Sequence, residues 1–580
     1  MGENQGLFAP SQENDTKKGP GAGARTHHRT LRVAVCVLNK AANEFISRSL
    51  FFALTLGLVF GGFLCYNVYI DFFKMQISHR EVFMKKTIKS EFSLFVGERT
   101  EEERALIDAF FSEFDLHFWV SKIDKKQFRA DFEAAIMLLY EQGVPMEEIL
   151  SRLSLANLGG FYARPSTVWF PLDNAAKIYP ISMEHGRQQV FRLSIYLKEE
   201  VIPSLLQMAL TFTVKRFPSF ATTLKKGVFW HYLDAVKKHF PIEEEHDVPC
   251  QPIKVSISGS QPFRLMYYKN RISAEFFHVL TDGTGGMIFL KVLVSEYLRL
   301  IGITAAKSDI WNANDTPTNE ETENAFVKVE KAESGSGFVD KPVLQMNGRL
   351  ARRKPCRILH FRMDAAELHK VAKEHGATIT AYILMQMLYS CQAATDELTG
   401  DLHIQVPVNM RKFYPSKTVR NFSMYCGVKI PIEKIGGKKE MIAEINKQLA
   451  EKAAKDKMRE MVTSAVNLVS SIRIIPLIIK QPIAKIVYGF LGETLYTTTF
   501  SNLGVVNIPE EFCEHIESMD FSLGAQMTNR LACTAITCNG VATFSISKMT
   551  ADPTFEEKMY QLLTKDGIAV TVEGSEYYAR

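Results

Sequence analysis

The stretch "EFFHVLTDGTGG", residues 275–286, holds the side chains of this sequence that are best suited to chemistry. His278 follows an apolar run, and an imidazole can accept and return a proton near neutral pH. Asp282 comes four residues later, close enough in a tight turn to fix the loop or to orient the ring. The glycines that follow would let the backbone turn sharply or approach another segment closely. The pattern predicts either a general base at the end of a strand or a packed histidine in a glycine-rich turn.

The elements around His278 are predicted to be a strand before it and a helix after it. The segment "RISAEFFHVL" has a strand pattern, and "MIFLKVLVSEYLRLIG", which begins at Met287, has a helical one. Strand patterns also occur upstream in "QQVFRLSIYL", "PIKVSISG" and "FRLMYYKN", with a helix in "PSLLQMALTFTVKRF". Strand and helix recur after a polar stretch, in "CRILHFRM" and "TITAYILMQMLYSCQAATDEL". This order predicts a mixed α/β (α+β) fold with two similar lobes.

Composition changes along the chain suggest six regions. The N-terminal residues are polar and basic, which predicts disorder, and residues 71–165 have helical patterns without a catalytic constellation. We expect a tail at 1–49, a transmembrane helix at 50–70, a helical spacer at 71–165, a first lobe at 166–302, a linker or crossover at 303–354, and a second lobe at 355–580.

Residues 50–70, "LFFALTLGLVFGGFLCYNVYI", form an uncharged run of 21 residues. At about 1.5 Å of rise per residue, such a helix could cross a hydrocarbon core of about 30 Å, although a fully buried helix is the alternative. Three basic residues in the 20 positions before the run and five in the 20 after it weakly place the main domain in the cytoplasm. Small residues at four-residue spacing, Ala53, Gly57, Gly61 and Cys65, could let two such helices form a homodimer.

Overall composition excludes some classes of function. Lys and Arg number 69 against 64 Asp and Glu, a formal net charge of +5, which is too small to indicate a nucleic-acid partner. The nine cysteines are scattered and contain no C-x-x-C, so neither a disulfide framework nor a zinc site is predicted, and a reducing compartment fits better. We therefore expect no metal in the site.

Three stretches, in order, resemble a known family. "FFHVLTDGTGG" is similar to the H-x-x-x-D-G signature of the chloramphenicol acetyltransferase-like superfamily, which includes BAHD acyltransferases, alcohol acetyltransferases, wax ester synthases and peptide-synthetase condensation domains. "QVPVNMRKFYPSKTVRNFSMYCG" resembles the second-lobe segment that carries an arginine, and "TTTFSNLGVVNIP" resembles the crossover motif. The resemblance covers about 166–580. It implies two chloramphenicol acetyltransferase-like lobes with a central tunnel.

The resemblance also implies roles for residues in the signature and for their partners in the second lobe. His278 would be the general base, and Asp282 would be structural, paired with Arg411 or, as a substitute, with Arg420. Gly283 would let the loop turn beneath the ring. One departure is that Phe277 occupies the first position of the H-H-x-x-x-D-G form that many relatives have. This favours the alcohol and glycolipid acetyltransferase-like branches over the wax-synthase and condensation-domain branches.

Further along the chain, the resemblance implies residues that bind the substrate and the oxyanion. Ser501 or Asn502 would donate a hydrogen bond to the oxyanion, unless they form only a polar turn before "LGVVNIP". Gly504 and Asn409 belong to the same predicted substrate-binding group.

The function implied is that of a membrane-anchored O-acyltransferase. It would use acyl-CoA as a co-substrate, with no bound cofactor, and would acylate a hydroxyl of an alcohol, lipid or glycoconjugate. A carrier-protein-dependent condensation-type acyltransferase and a non-catalytic member that binds a lipid or a partner protein are the alternatives. The apolar, basic stretch "SSIRIIPLIIKQPIAKIVYGFLG" (470–492) could lie on an anionic membrane, line an acyl channel, or be a core helix.

Overall fold

A computed structural model describes residues 91–165, 168–182, 189–253, 261–333, 341–491, 493–524, 526 and 528–575. The predicted tail, the apolar run at 50–70 with its small residues, and most of the strand predicted in "PIKVSISG" lie outside these ranges. Within them, no helix is both long enough and apolar enough to cross a membrane. The described chain is a mixed α/β protein with three sheets, as the alternating patterns predicted.

The strands and helices are numbered in chain order. The strands are β1 (Trp169–Pro171), β2 (Val190–Leu197), β3 (Thr222–Lys226), β4 (His231–Ala235), β5 (Ile242–Glu244), β6 (Phe263–Tyr268), β7 (Arg271–Phe277), β8 (Arg357–Asp364), β9 (Asp401–Asn409), β10 (Ser423–Pro431), β11 (Thr498–Val506), β12 (Ile516–Leu523), β13 (Leu531–Cys538), β14 (Val541–Lys548) and β15 (Thr571–Gly574). The helices are α1 (Glu101–His117), α2 (Lys122–Glu141), α3 (Met146–Arg152), α4 (Tyr179–Ser182), α5 (Pro203–Val214), α6 (Gly283–Leu300), α7 (Ala365–Glu374), α8 (Ile379–Ala393), α9 (Lys438–Lys452), α10 (Lys455–Ser471), α11 (Leu477–Leu491), α12 (Glu510–Cys513) and α13 (Thr554–Lys565).

The first lobe is built on a five-stranded sheet of order β12-β2-β7-β6-β5. Strand β7 lies at its centre, antiparallel to both β2 and β6, and is buried except at Arg271. Helices α5 and α6 pack together on this sheet and contribute apolar side chains to one large core. A separate three-stranded sheet of order β1-β4-β3 belongs to the same part of the chain.

Helices α1 to α3, which lie within the predicted spacer at 71–165, pack against the first lobe. Thr100 and Glu103 form a reciprocal capping box at the start of α1. The ring of Phe132 in α2 meets Phe212 of α5 edge to face at 6.1 Å. The guanidinium of Arg152 donates to the carbonyl of Leu300 at 3.0 Å. These helices therefore share the apolar core of the first sheet.

The second lobe is built on a seven-stranded sheet of order β10-β9-β11-β13-β14-β8-β15. Helices α8, α9 and α13 pack around its own apolar core. Strand β12, although late in the sequence, leaves this lobe and pairs antiparallel with β2, from Ile516 opposite Leu197 to Leu523 opposite Phe191. The predicted boundary at 355 therefore does not separate two independent sheets.

The predicted crossover at 303–354 is anchored between the lobes. Among its described residues it contains only short 3₁₀ turns, Asn319–Thr322 and Ala325–Lys328. Glu321 in the first turn accepts from the guanidinium of Arg216 in the first lobe at 2.9 Å, and both side chains are buried. The carbonyl of Glu321 accepts from the backbone N–H of Val419 in the second lobe at 2.8 Å. One residue of the crossover thus contacts both lobes.

Candidate active site

His278 follows the central strand of the first sheet directly. Its backbone N–H donates to the carbonyl of Gln189 at 2.8 Å, which extends the pairing of β7 with the chain before β2. Phe276 and Phe277 before it are buried, whereas the His278 side chain is partly exposed. The strand therefore holds the ring at its end while the neighbouring residues stay in the core.

Helix α6 begins at Gly283, four residues earlier than the sequence predicted. Asp282 is its N-cap, with a carboxylate oxygen accepting from the backbone N–H of Gly285 at 3.0 Å. The glycine-rich turn is thus the first turn of the helix. A Cβ at Gly285 would lie 2.0 Å from the carbonyl oxygen of Val419, so this glycine permits close contact with the second lobe. The prediction failed because three glycines argue against a helix locally, whereas the contact between the lobes requires one of them.

The Asp282 carboxylate joins the two lobes. Its Oδ2 accepts from Nη1 of Arg411 at 2.8 Å and from the backbone N–H of Phe422 at 2.8 Å. Arg411 also donates through Nη2 to the carbonyls of Thr418 at 2.8 Å and Arg420 at 2.7 Å. All partners of the carboxylate thus come from the helix cap and the second lobe, and none is the imidazole. Asp282 holds the loop in place.

Asn409 belongs to this network of contacts between the lobes. Its amide nitrogen donates to Oγ1 of Thr284 at 3.2 Å, and its amide oxygen accepts from the backbone N–H of Arg411 at 3.0 Å. Asn409 thereby fixes Arg411 opposite the start of α6. Both polar atoms of its side chain have protein partners, so the structure favours a supporting role over the substrate contact that was predicted.

Asn421 fixes the orientation of the His278 ring. The amide nitrogen of Asn421 donates to the carbonyl of His278 at 2.9 Å and to Oδ2 of Asp173 at 3.1 Å. The amide oxygen must therefore be the atom that faces Nδ1 of His278, at 3.1 Å. Because that oxygen can only accept, Nδ1 carries the hydrogen in the neutral ring, and Nε2 is the unprotonated nitrogen. The arrangement presents Nε2 as a base.

Two aromatic rings enclose the imidazole. Tyr179 of α4 stacks on it at a centroid distance of 5.1 Å, and Phe191 of β2 lies at 4.9 Å. Burial lowers the pKa of His278, and the hydrogen bond with Asn421 and the charges of Asp282 and Asp173 oppose this shift. The ring is therefore neutral at neutral pH, as a general base must be.

Arg420 pairs with Asp173 and not with Asp282. Its Nε lies 3.7 Å from Oδ2 of Asp173, and both side chains are buried. Burial raises the pKa of Asp173, and the charge of Arg420 opposes that shift. Of the two arginines predicted as partners of Asp282, the structure thus selects Arg411. Arg420 instead orders the carboxylate that anchors Asn421.

The predicted oxyanion residues lie on β11 and point in different directions. The amide of Asn502 donates to Oγ1 of Thr380 at 3.1 Å and accepts from the backbone N–H of Gly504 at 2.8 Å. No hydrogen bond joins it to His278 within the described residues. Leu503, by contrast, contacts the start of α6, because a Cβ at Gly283 would lie 2.8 Å from its side chain. Strand β11 has an irregular register between Asn502 and Val505, and the Ser501 side chain before it is buried.

A cavity of about 410 Å³ lies in the second lobe, on the Asn502 side of β11. Apolar side chains form most of its lining, together with Gly504 and the polar groups of His369, Lys373, Thr380 and Asn502. The N-terminal residues of α8 also line it, so partial positive charge from that helix adds to the lysine. The described residues contain no cluster of three or more His, Cys, Asp or Glu side chains that could hold a metal ion.

Several solved structures are similar to this chain, at low identity. Polyketide synthase associated protein 5 from Mycobacterium tuberculosis is 14% identical and the match covers 69% of this chain and 98% of that one, with a TM-score of 0.47. TRI3 trichothecene 15-O-acetyltransferase from Fusarium sporotrichioides is 11% identical, with 68% and 94% covered and a TM-score of 0.46. The first condensation domain of the calcium-dependent antibiotic synthetase is 11% identical, with 70% and 100% covered and a TM-score of 0.44.

Acetyltransferases and condensation domains are the kinds of protein that the sequence motifs resemble. The chain matches no protein-family model and no curated protein. The role of each residue therefore depends on its own contacts in this chain.

Sequence reasoning missed the residues that hold the imidazole. Asn421 stands beside Arg420 in the quoted second-lobe segment, and its position next to a candidate arginine was the available signal. Asp173, Tyr179 and Phe191 carried no signal, because they come from segments that only the fold brings to His278.

Proposed function

We propose that this protein is an acyltransferase that moves an acyl group from a coenzyme A thioester to the hydroxyl of an alcohol, lipid or glycoconjugate. The observation that carries the proposal is the Asn421 amide, whose two acceptors fix the hydrogen on Nδ1 of His278 and leave Nε2 unprotonated. A partly exposed, neutral imidazole with a fixed tautomer is suited to accept a proton from a hydroxyl. We propose that both substrates reach it through a passage between the lobes.

The proposed reaction has two steps. Nε2 of His278 takes the proton of the acceptor hydroxyl as its oxygen attacks the thioester carbonyl, which forms a tetrahedral oxyanion. The carbon–sulfur bond then breaks, the carbonyl re-forms, and the departing thiolate takes the proton from Nε2. The imidazole is neutral again, and the products are an ester and a free thiol.

The oxyanion would receive its hydrogen bond from Ser501. Asn502 is less suited, because its amide already bonds to Thr380 and Gly504. Ser501 is buried on β11, the strand whose Leu503 contacts the start of α6. Preorganised donors of this kind stabilise the intermediate because they need no reorganisation as charge develops.

The acyl donor would use the 410 Å³ cavity of the second lobe. Its apolar lining suits a pantetheine arm, and Lys373, His369 and the N-terminus of α8 suit the phosphates of coenzyme A. We further propose that residues 50–70 anchor the chain in a membrane, with this domain in the cytoplasm, where coenzyme A is present.

The proposal is tested by measuring thiol release from acetyl-CoA and longer acyl-CoAs with a panel of alcohols, lipids and glycolipids. We expect release that depends on an acceptor, is lost in His278→Ala, and is retained in the control His246→Ala, whose side chain is exposed. Release only from a thioester on a phosphopantetheine carrier would instead indicate a condensation-type enzyme. Tight ligand binding that His278→Ala leaves unchanged, without thiol release, would indicate a non-catalytic protein.

A further inference from the structure

In the described first half of helix α11, a lysine is buried while three isoleucines are exposed. Lys480 points inward and is only 4% exposed, with Nζ donating to the carbonyl of Phe229 at 2.7 Å and lying 3.3 Å from the centre of the Trp230 ring. Ile478 and Ile483, on the outward side, are 81% and 54% exposed. A surface helix normally buries its apolar residues and exposes its lysines. The reversal indicates that the outward face meets something other than water.

The exposed isoleucines are continuous with the turn between β3 and β4. The backbone N–H of Leu477 donates to the carbonyl of Val228 at 2.8 Å, which joins the start of α11 to that turn. A single exposed apolar residue is ordinary, but a contiguous patch of this kind marks an interaction site. The patch, here called the isoleucine surface, comprises Val228, Phe229, Ile474, Ile478, Ile479 and Ile483.

The two segments that carry the isoleucine surface lack acidic residues. Residues 461–492 contain no aspartate or glutamate, and neither do residues 222–233. Arg473 and Lys226 are exposed next to the apolar residues, and within the described part of the chain neither forms an ion pair. Trp230 lies beside Phe229. Apolar side chains flanked by basic and aromatic residues complement a bilayer with anionic headgroups.

We propose that the isoleucine surface docks on an anionic lipid membrane. Its isoleucines, Val228 and Phe229 would enter the headgroup and acyl boundary, and Arg473 and Lys226 would meet the lipid phosphates. Helix α11 also packs against α4, whose Tyr179 stacks on His278. Docking would therefore place the wall of the candidate active site beside the lipid. The docking itself is independent of the proposed acyl transfer, and only delivery of a lipid acceptor rests on that function.

Hydrogen–deuterium exchange of the full chain tests the docking. The chain is placed in detergent, in nanodiscs of phosphatidylcholine, and in nanodiscs that also contain phosphatidylserine. We expect exchange at 227–231 and 474–484 to slow by about tenfold in the anionic nanodiscs relative to detergent, and less in the neutral ones. The triple variant Ile478→Gln, Ile479→Gln, Ile483→Gln should lose this protection. Arg473→Glu with Lys226→Glu should lose the preference for anionic lipid.

A matched control replaces exposed apolar residues elsewhere. Leu116→Gln with Ile123→Gln changes side chains that are 77% and 74% exposed and should keep the protection. Equal exchange in detergent and in both nanodiscs would overturn the proposal. Protection of these two segments that is already complete in detergent would also overturn the proposal. Sedimentation would then show whether a second copy or another part of the same chain covers the surface.

Discussion

The two nitrogens of the His278 ring have different surroundings, and this difference determines what the ring can do. Nδ1 faces the Asn421 amide oxygen, so the hydrogen is on Nδ1 and Nε2 is the basic nitrogen. Burial lowers the pKa of the imidazole, so its neutral form persists to lower pH than in an ordinary histidine, whose pKa is about 6.5. We expect kcat/KM for thiol release to be level at neutral pH and to fall as the pH drops through this lowered value.

Substitutions of Asn421 should move that midpoint in opposite directions. The hydrogen bond with Asn421 raises the pKa of His278, so Asn421→Ala should shift the midpoint to lower pH. Asn421→Asp places a negative charge at the ring and should shift it to higher pH. Asn421→Ala should also lower the level rate by about ten- to a hundredfold, because the tautomer is no longer fixed, whereas Asn421→Asp keeps an acceptor at Nδ1. The pH profiles of both variants check this, and unchanged midpoints would show that Asn421 is only a packing residue.

The Asp282–Arg411 pair should be important for stability. Both side chains are largely buried, and Nη1 lies 2.8 Å from Oδ2. Asp282→Ala leaves the arginine without its partner and should cost on the order of 3–5 kcal/mol of unfolding free energy, as well as activity. A double-mutant cycle with Arg411→Met, followed by urea unfolding, measures the coupling. Additive losses in the double variant would contradict the pairing.

At the residue scale the sequence identified His278, Asp282 and Arg411 but not their surroundings. A signature with fixed spacing locates a candidate base and its loop, because both lie within one short stretch. Asp173 and Tyr179 are about 100 residues earlier in the sequence, and their position near the ring depends on how separate segments pack. Asn502 has a side chain that would suit an oxyanion donor. Its position on β11, however, directs that side chain toward Thr380.

At the scale of elements, the first turn of α6 is shaped by contact with the second lobe. A Cβ at Gly285 would approach a backbone atom, the carbonyl oxygen of Val419, whereas one at Gly283 would meet the movable end of the Leu503 side chain. Gly285→Ala should therefore destabilise the protein by about 1–3 kcal/mol, despite the better helix propensity of alanine. Gly283→Ala should have a smaller effect, and urea unfolding of both variants checks the difference. Equal effects would contradict the close approach.

Elements whose apolar pattern agreed with their packing were predicted well. Strands β2, β6, β7 and β8 and helices α5 and α8 all appear where the periodicity placed them. The exception is helix α11, whose outward isoleucines gave a pattern compatible with a core helix, a channel wall or a membrane surface. The sequence pattern indicates which face of a helix is apolar, but it does not indicate what that face contacts.

At the scale of the whole molecule, β12 ties the two lobes together by pairing with β2. Glu321 adds a second connection through Arg216 and Val419. The sequence predicted two lobes but not this exchange, because a strand pattern does not say which sheet the strand joins.

The exchange predicts that the lobes unfold together. The four tryptophans all precede residue 355, so their fluorescence reports on the first lobe and the crossover. The urea midpoint measured by tryptophan fluorescence should equal the midpoint measured by circular dichroism. It should also equal the midpoint for the loss of hydrogen-exchange protection in β13 and β14. A separate tryptophan transition would show that β12 does not couple the lobes.

The central claim is that Nε2 of His278 carries the proton during acyl transfer. Chemical rescue of thiol release from acyl-CoA in His278→Ala tests it most directly, because the space between Tyr179 and Phe191 could then admit free imidazole. We expect release to fall by about 10²–10⁴-fold in the variant and to recover in part, saturably, as neutral imidazole is added. Thiol release in His278→Ala at the rate of the unmodified protein would contradict the claim.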